Sequence, residues 1–366
     1  DFVIYGEYEF TLLKLLEFIK QDNKNFSEIK GLIWCNQKGD AVKNYPADPV
    51  DINKLPWPQR QGLPMDKYWD LPGDIPAPSV QMLASRGCPF NCDFCLWPQT
   101  FFNEKKYRWR HNDHILDEME FLVKTQGYKS IYFDDDVFNI GRERMLALAE
   151  GMIKRKLDIP WAMMARVDLM DTTILQKLKK AGLAAVKYGV ESSSQVLLDN
   201  CGKKLNLEKA EKIIKETKKM GIKVHLTFSF GLEGETPKSI EKTIKYAIKL
   251  EPYSVQFSIL TPFPGTTLFH KLNQQQRIIT KNWSLYDGNN RCVFRPQNLS
   301  PLDLELAKDY AYRRWFDHCR RRRGFSGNAR RFFYYWQQYG LKRAVNKAKE
   351  YLRYLMFYRK QFLGKK

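Results

Sequence analysis

The chain has 366 residues, 43% hydrophobic and 14% aromatic, so it can bury a large core and is too long for one small domain. Its net charge of +20 is uneven: residues 313–366 carry 17 Lys and Arg against only Asp317 and Glu350, a balance of +15, leaving +5 for the other 312 residues. Three of the seven cysteines crowd into eight positions and the others (Cys35, Cys201, Cys292, Cys319) are scattered, which argues against a disulfide framework and for a reducing cytoplasm. No apolar run approaches the roughly 20 residues of a membrane-crossing helix, and no secretory leader is read.

From the amino end, Phe2-Val3-Ile4 reads as a short strand, followed by a turn and an amphipathic helix carrying Leu12, Leu13, Leu15, Leu16 and Ile19. A chain that starts at Asp1 reads as part of a longer protein. Residues 44–78 are rich in proline and predict an extended linker, because proline breaks both helices and central strands. From 79 to 297, short apolar runs alternate with amphipathic stretches, the pattern of β–α units around a parallel sheet. The predicted strands are Val80–Ala84, Ser130–Phe133, Trp161–Arg166, Ala185–Val190, Lys223–Phe230 and Ser254–Leu260, enough for an open partial barrel. Asp171 is placed to cap a helix that ends at Gly182, and Thr236-Pro237 starts another with Ile240, Ile244, Ala247 and Ile248 on one face. Residues 298–366 form a basic, aromatic helical extension, with Tyr351, Leu355, Tyr358 and Phe362 at helical spacing.

The chemistry centres on Cys88, Cys92 and Cys95, spaced Cys-x3-Cys-x2-Cys, where Gly87 and Pro89 favour a turning loop. Three soft thiolates can hold an iron–sulfur cubane at three corners with one iron open. They can equally join a distant fourth ligand on zinc, or remain buried free thiols. Asp134-Asp135-Asp136 ends the second strand; it reads as a functional carboxylate group or as an acidic turn capping the next helix. His225 within a strand reads as a packed core residue. No Ser-His-Asp order, phosphate-binding loop or zinc-protease helix is present, so the usual hydrolase chemistries have no support.

The cysteine loop, including Phe94 before the third cysteine, resembles that of the radical S-adenosylmethionine (radical SAM) enzymes, and the resemblance covers roughly residues 75–290. Asp134-Asp135-Asp136-Val137-Phe138 is similar to the Asp-Asp-x-Phe of the cobalamin-type members, and Gly189-Val190-Glu191-Ser192 matches the family's Gly-[Val/Ile]-Glu-Ser. Gly231-Leu232-Glu233-Gly234-Glu235-Thr236 matches the family's turn, with Glu233 where proline is usual, and Pro262-Phe263-Pro264-Gly265-Thr266 matches its Pro-x-Pro-Gly-Thr loop. Residues 1–43 resemble the last strand and helix of a cobalamin-binding domain, whose Asp-x-His-x-x-Gly loop has no counterpart here.

The resemblance implies a partial (β/α)6 TIM-like barrel, with an amino-terminal remnant of a Rossmann-like domain and a helical carboxyl-terminal extension. It implies a [4Fe-4S] cluster on Cys88, Cys92 and Cys95, and SAM contacts at Phe94, Asp135, Arg166, Glu191, Thr227 and Pro264. It further implies cobalamin in the full-length protein and an electron donor such as flavodoxin or ferredoxin. The expected reaction generates a 5′-deoxyadenosyl radical, or methylates through cobalamin, at an unreactive carbon of a small or lipid-like substrate. The alternatives are an RNA-modifying methylthiotransferase-like enzyme and a non-catalytic metal-binding module. The basic tail reads first as a helical cap, then as a peripheral contact of 313–366 with an anionic inner membrane face or lipid-like substrate, and last as a nucleic-acid surface.

Overall fold

The computed structural model describes residues 2–68, 72–102, 106–342, 345–346 and 348–349; the spacing of Tyr351, Leu355, Tyr358 and Phe362 lies outside the described residues. Six parallel strands form the central sheet: β4 (Ser79–Met82), β7 (Ser130–Phe133), β8 (Trp161–Ala165), β9 (Leu183–Glu191), β10 (Lys223–Phe230) and β11 (Ser254–Ile259), in the order β11-β10-β9-β8-β7-β4. Strands adjacent in this chain sequence are adjacent in the sheet, as successive crossovers require. This is the expected partial barrel, with strand ends within about two residues of the sequence reading.

The helices of the connections are α2 (Asn112–Glu120), α3 (Arg142–Lys154), α4 (Thr172–Lys180), α5 (Gln195–Asn200), α6 (Leu207–Lys219) and α7 (Pro237–Leu250), with α8 (Thr267–Gln274) after the last strand. Their boundaries follow the predicted signals. Asp171 accepts the Ile174 amide at 2.7 Å, and Thr236 and Ser239 form a reciprocal capping box that spans Pro237. Gly182 has φ +96°, and a Cβ there would meet the Ile159 carbonyl oxygen at 2.5 Å, so only glycine turns this corner.

Alternation in the strands separates a dry outer layer from an open inner one. Outward residues such as Phe133, Trp161, Val186, Leu226, Phe228 and Phe257 are fully buried beneath the helices. Inward residues of β9 to β11, such as Lys187, Gly189, Thr227, Ser229 and Gln256, are only half-buried. Tyr132, Ala162 and Ala185 close the lower end with Ile75. The proline-rich segment therefore does more than link: its Gly73, at φ +73°, lies where a Cβ would stand 2.3 Å from Ala185 Cβ.

The two free edges of the sheet are covered differently. Along β4, Arg60 and Arg110 donate to the Gln81 and Leu83 carbonyls and share the buried Glu118. Along β11, helix α9 (Pro301–Tyr339, interrupted at Gly324 with φ +60°) buries Leu304, Ala311 and Trp315, and Tyr312 Oη accepts the Phe257 amide at 3.1 Å. The same helix reaches the barrel floor, where Tyr334 Oη donates to the Asp74 carbonyl at 2.9 Å. Among the described residues no helix is long and apolar enough to cross a membrane.

The amino-terminal unit is a strand, a helix and an antiparallel pair: β1 (Phe2–Ile4), α1 (Glu9–Lys20), β2 (Leu32–Cys35) and β3 (Ala41–Lys43), with β2 between the other two. Of the helix's apolar residues only Leu15 is buried; Leu12, Leu13, Leu16 and Ile19 face outward with Phe2 and Val3. Leu15 turns toward Ile29 and Leu32, and Phe18 packs partly against the same cluster.

Where β10 leaves the sheet, Glu235 is buried and accepts the Gly231 amide, and burial pushes its carboxyl up to about 8. Between about pH 4.5 and 8 the native state keeps a proton that the unfolded chain has released, so stability falls as pH rises through that window. Denaturant unfolding of metal-free protein is expected to show this fall, with a flatter slope in Glu235→Gln; an unchanged slope refutes the assignment.

Candidate functional site

The cysteine loop hangs from the first strand. After β4 the chain makes a two-residue ribbon, β5 (Ser85–Arg86) pairing antiparallel with β6 (Arg108–Trp109). It then turns at Gly87, whose φ is +88° and where a Cβ would fall 2.0 Å from the Lys106 carbonyl oxygen. Three connections clamp the loop beyond. Gln99 Nε2 lies 3.0, 3.1 and 2.8 Å from the carbonyl oxygens of Cys92, Asp93 and Cys95, while its Oε1 accepts from the Thr267 amide and hydroxyl. The Leu268 amide donates to the Asp93 carbonyl at 3.0 Å, and the Asp93 amide to the Cys201 carbonyl at 3.0 Å. Gly202 packs so closely that a Cβ would lie 2.3 Å from the Asn91 carbonyl oxygen.

All three thiols are half-buried, and burial pushes each of them up, Cys95 to about 12 with added repulsion from Cys92 and Cys88. Arg166 and Lys203 oppose this at Cys92. Desolvated, mutually repelling soft donors fit a cationic iron–sulfur centre, which relieves the cost of ionising them. Among the described residues no three His, Cys, Asp or Glu side chains converge on a single ion. A cubane asks for no such convergence, since each thiolate takes its own iron.

The acidic run divides its labour. Asp135, expected to meet SAM, is buried on the side of Ile131 and Phe133; its oxygens accept the Ala84 amide at 3.2 Å and the Ser85 hydroxyl, and burial raises its carboxyl to about 7. These bonds occupy it in holding the β4 exit. Asp136 accepts the Gly87 amide at 2.9 Å, one residue before Cys88. Both carboxylates thus anchor the cysteine loop from behind. Asp134 instead lines a cavity of about 410 Å³ between β4 and residues 52–68.

At the upper end of the lumen, Glu191 has a left-handed φ of +70° and only 8% exposure. Its Oε1 accepts from Lys203 Nζ and its Oε2 from Ser229 Oγ, both at 2.9 Å. Gly189 makes room: a Cβ there would stand 2.7 Å from Glu191 Oε1, 3.0 Å from Lys203 Nζ and 3.5 Å from Thr227 Oγ1. Glu191 and Thr227, both expected at the cofactor, therefore lie on the same side of Gly189, with Lys203 and Ser229 beside them.

Arg166 chelates its neighbour Asp168 (3.0 and 2.8 Å), donates to the Lys203 carbonyl and lies 3.7 Å over the Phe90 ring of the cysteine loop. Its backbone is held on both sides by Asn139. Phe94 is half-buried against the core, and Pro264 is exposed in a loop whose Gly265 abuts Thr100. His225 is not a core residue: strand alternation turns it into the lumen, where Nδ1 meets Ser254 Oγ at 2.8 Å. Sequence reasoning missed Gln99, Asn139 and Lys203. Only Lys203 had a signal, a cation just after the glycine that ends the short helix Gln195–Asn200 beyond Glu191.

The Radical SAM superfamily profile matches residues 82–247. An uncharacterised methyltransferase of Pyrococcus horikoshii is 32% identical over 289 residues, 78% of this chain and 61% of that protein. An anaerobic magnesium-protoporphyrin IX monomethyl ester cyclase of Rubrivivax gelatinosus is 30% identical over 292 residues, 76% of this chain and 50% of that one. The fold is shared with the radical SAM methyltransferase TsrM of Kitasatospora setae, solved with cobalamin and a [4Fe-4S] cluster (TM-score 0.62, 21% identity, 75% of this chain and 54% of that one). It is shared too with the cobalamin-dependent enzyme OxsB (TM-score 0.60, 17% identity, 84% and 49%). The chain belongs to the radical SAM superfamily.

As a radical SAM domain, it spans only about half to three-fifths of the length of these two relatives. Within it, Gln99 ties three carbonyls of the cysteine loop to Thr267. Gln99→Leu keeps the volume and removes the bonds, at a cost of roughly 1–3 kcal/mol in loop order. Reconstituted Gln99→Leu should surrender iron to a ferrous chelator several-fold faster than the parent, with unchanged far-ultraviolet dichroism. Equal rates would show that the clamp is dispensable.

Proposed function

We propose that the chain is the catalytic core of an enzyme that reductively cleaves SAM and uses the product to modify an unreactive carbon in a small or lipid-like substrate. The observation that carries this reading is three half-buried thiols in one clamped loop after the first sheet strand, with the inward residues Gly189, Thr227, Ser229 and Gln256 of the same sheet polar or small and only half-buried. A closed barrel would pack such inward positions.

In this reading Cys88, Cys92 and Cys95 hold a [4Fe-4S] cluster, which when bound supplies an open iron for SAM and the electron that breaks its carbon–sulfur bond. The rest falls to the protein's own groups. Gln99, Asp135 and Asp136 fix the loop from behind. The Glu191–Lys203 pair offers a carboxylate and an ammonium at the lumen mouth, able to receive the amino and carboxylate groups of the amino-acid moiety. Thr227 and Ser229 present hydroxyls for the nucleoside, and Arg166 keeps Phe90 and the loop in place.

The names of relatives include both methyltransferases and a cyclase, and support methylation or ring closure as the outcome. Cobalamin in the full-length protein is supported by the shared fold with cobalamin-dependent enzymes and by the uncovered apolar face of α1. A flavodoxin or ferredoxin would supply electrons in a cytoplasmic setting. Exposed Phe333 and Trp336 near Arg330 support contact of the tail with an anionic membrane face or a lipid-like substrate.

Anaerobic reconstitution should give about four irons per chain. Reduction in the presence of SAM should then release methionine with 5′-deoxyadenosine. Cys92→Ala should lose iron and abolish the release. Protein that takes up fewer than about three irons and never cleaves SAM overturns the proposal.

A further inference from the structure

Lower in the lumen the strand register sets Met164, Lys187, His225 and Ser254 in one row across β8, β9, β10 and β11. In-register residues of parallel strands point the same way, so this row shares the inward face. It lies four residues along β9 before Glu191, roughly 13 Å nearer the barrel floor.

Charge in the lumen is otherwise matched. Lys203 pairs with Glu191 and Arg166 with Asp168, while Lys223 donates to the Gly73 carbonyl and lies over the Tyr253 ring. Among the described residues Lys187 has no ion-pair or hydrogen-bond partner. Beside it, His225 Nε2 is sealed from solvent and also lacks a partner, while Nδ1 is engaged by Ser254. Burial and the Lys187 charge hold this imidazole down to about 4, so the ring is neutral near pH 7. When Ser254 donates to Nδ1, the ring's proton sits on Nε2, which becomes a donor. An ammonium and a neutral N–H donor side by side, both unsatisfied, are complementary to an oxyanion.

We propose that Lys187 and His225 form an anion-binding floor in the lumen, and that the substrate carries a carboxylate or phosphate group received there. This rests on the reading that the lumen holds the substrate. It adds a specificity: one end of the molecule is fixed on the floor, and its length decides which carbon stands at the level of Glu191 and the cysteine loop. A neutral lipid chain would leave both groups unsatisfied.

The test follows His225 by nuclear magnetic resonance in full-chain, cluster-loaded protein carrying isotopically labelled histidine. Inorganic phosphate and acetate are titrated separately at constant ionic strength set with chloride, and the His225 signal is identified by its loss in His225→Gln. The expected result is a saturable shift, with the preferred anion naming the substrate group. Its midpoint should rise at least about tenfold in Lys187→Met and in Lys187→Gln, and recover in Lys187→Arg. Iron content and SAM cleavage without substrate should stay at parental levels in each, which also reports folding. No saturable shift in protein that holds iron and cleaves SAM, or an equal midpoint in both neutral variants, overturns the floor and leaves Lys187 a solvated side chain. A Lys187-dependent shift in protein that never cleaves SAM supports the floor while refuting the proposed function.

Discussion

Everything in this fold that concerns chemistry depends on keeping three sulfur donors together in a loop that has no regular structure of its own. Charged thiolates repel, and removing them from water makes ionisation harder still. The protein answers with backbone restraint rather than with a hydrogen-bonded secondary element. Gln99 gathers three carbonyls, Leu268 and Cys201 each fix Asp93, and Asp135 and Asp136 hold the strand exit from the opposite side. These restraints come from the first, second, fourth and sixth β–α connections, so the loop is only as ordered as the barrel beneath it.

The barrel in turn inverts the usual arrangement of a closed one. Its hydrophobic stabilisation resides in the outer layer, where strand residues of zero exposure such as Phe133, Trp161 and Phe257 pack against helices. The inner face is then released from packing and can be polar. Gly189 shows the consequence at atomic scale, since its missing side chain is what lets Glu191, Lys203 and Thr227 converge. The same freedom allows an unpaired lysine and an imidazole to stand on the floor.

The parts legible in the sequence were those governed by local rules. Strand runs, the caps at Asp171 and Thr236 and the glycine at 182 rest on propensity and short-range hydrogen bonding, and the structure has them in place. The cysteine spacing and the turns after β9, β10 and β11 were legible because each motif is contiguous. What could not be read depends on contacts between distant positions. Gln99 acts by meeting Thr267, 168 residues away, and Gly73 by meeting Ala185. His225 was misplaced because a strand buried on one face and open on the other looks, from its sequence, like a strand buried on both. The side on which Asp135 lies followed from alternation, but its bonds to Ala84 and Ser85, some fifty residues away, did not. The helix α1 reads as amphipathic, yet which side is covered depends on neighbours that the local pattern does not specify.

One further coupling joins the amino-terminal unit to this centre. Glu7 is buried; desolvation alone would raise its carboxyl, but Arg86 and Arg108 hold it below the usual range, and it also accepts the Val50 amide at 2.9 Å. Arg86 is simultaneously bound to Glu9 at the start of α1, and it stands two residues before Cys88. Buried ion pairs add little net stability over well-packed apolar groups, because the desolvation cost offsets the attraction. They are, however, intolerant of misalignment, since an unpaired buried charge is far more costly than a shifted methyl group. The Glu7–Arg86–Arg108 cluster therefore ties the start of α1 to the strand exit that leads into the cysteine loop, and sets the alignment of the two.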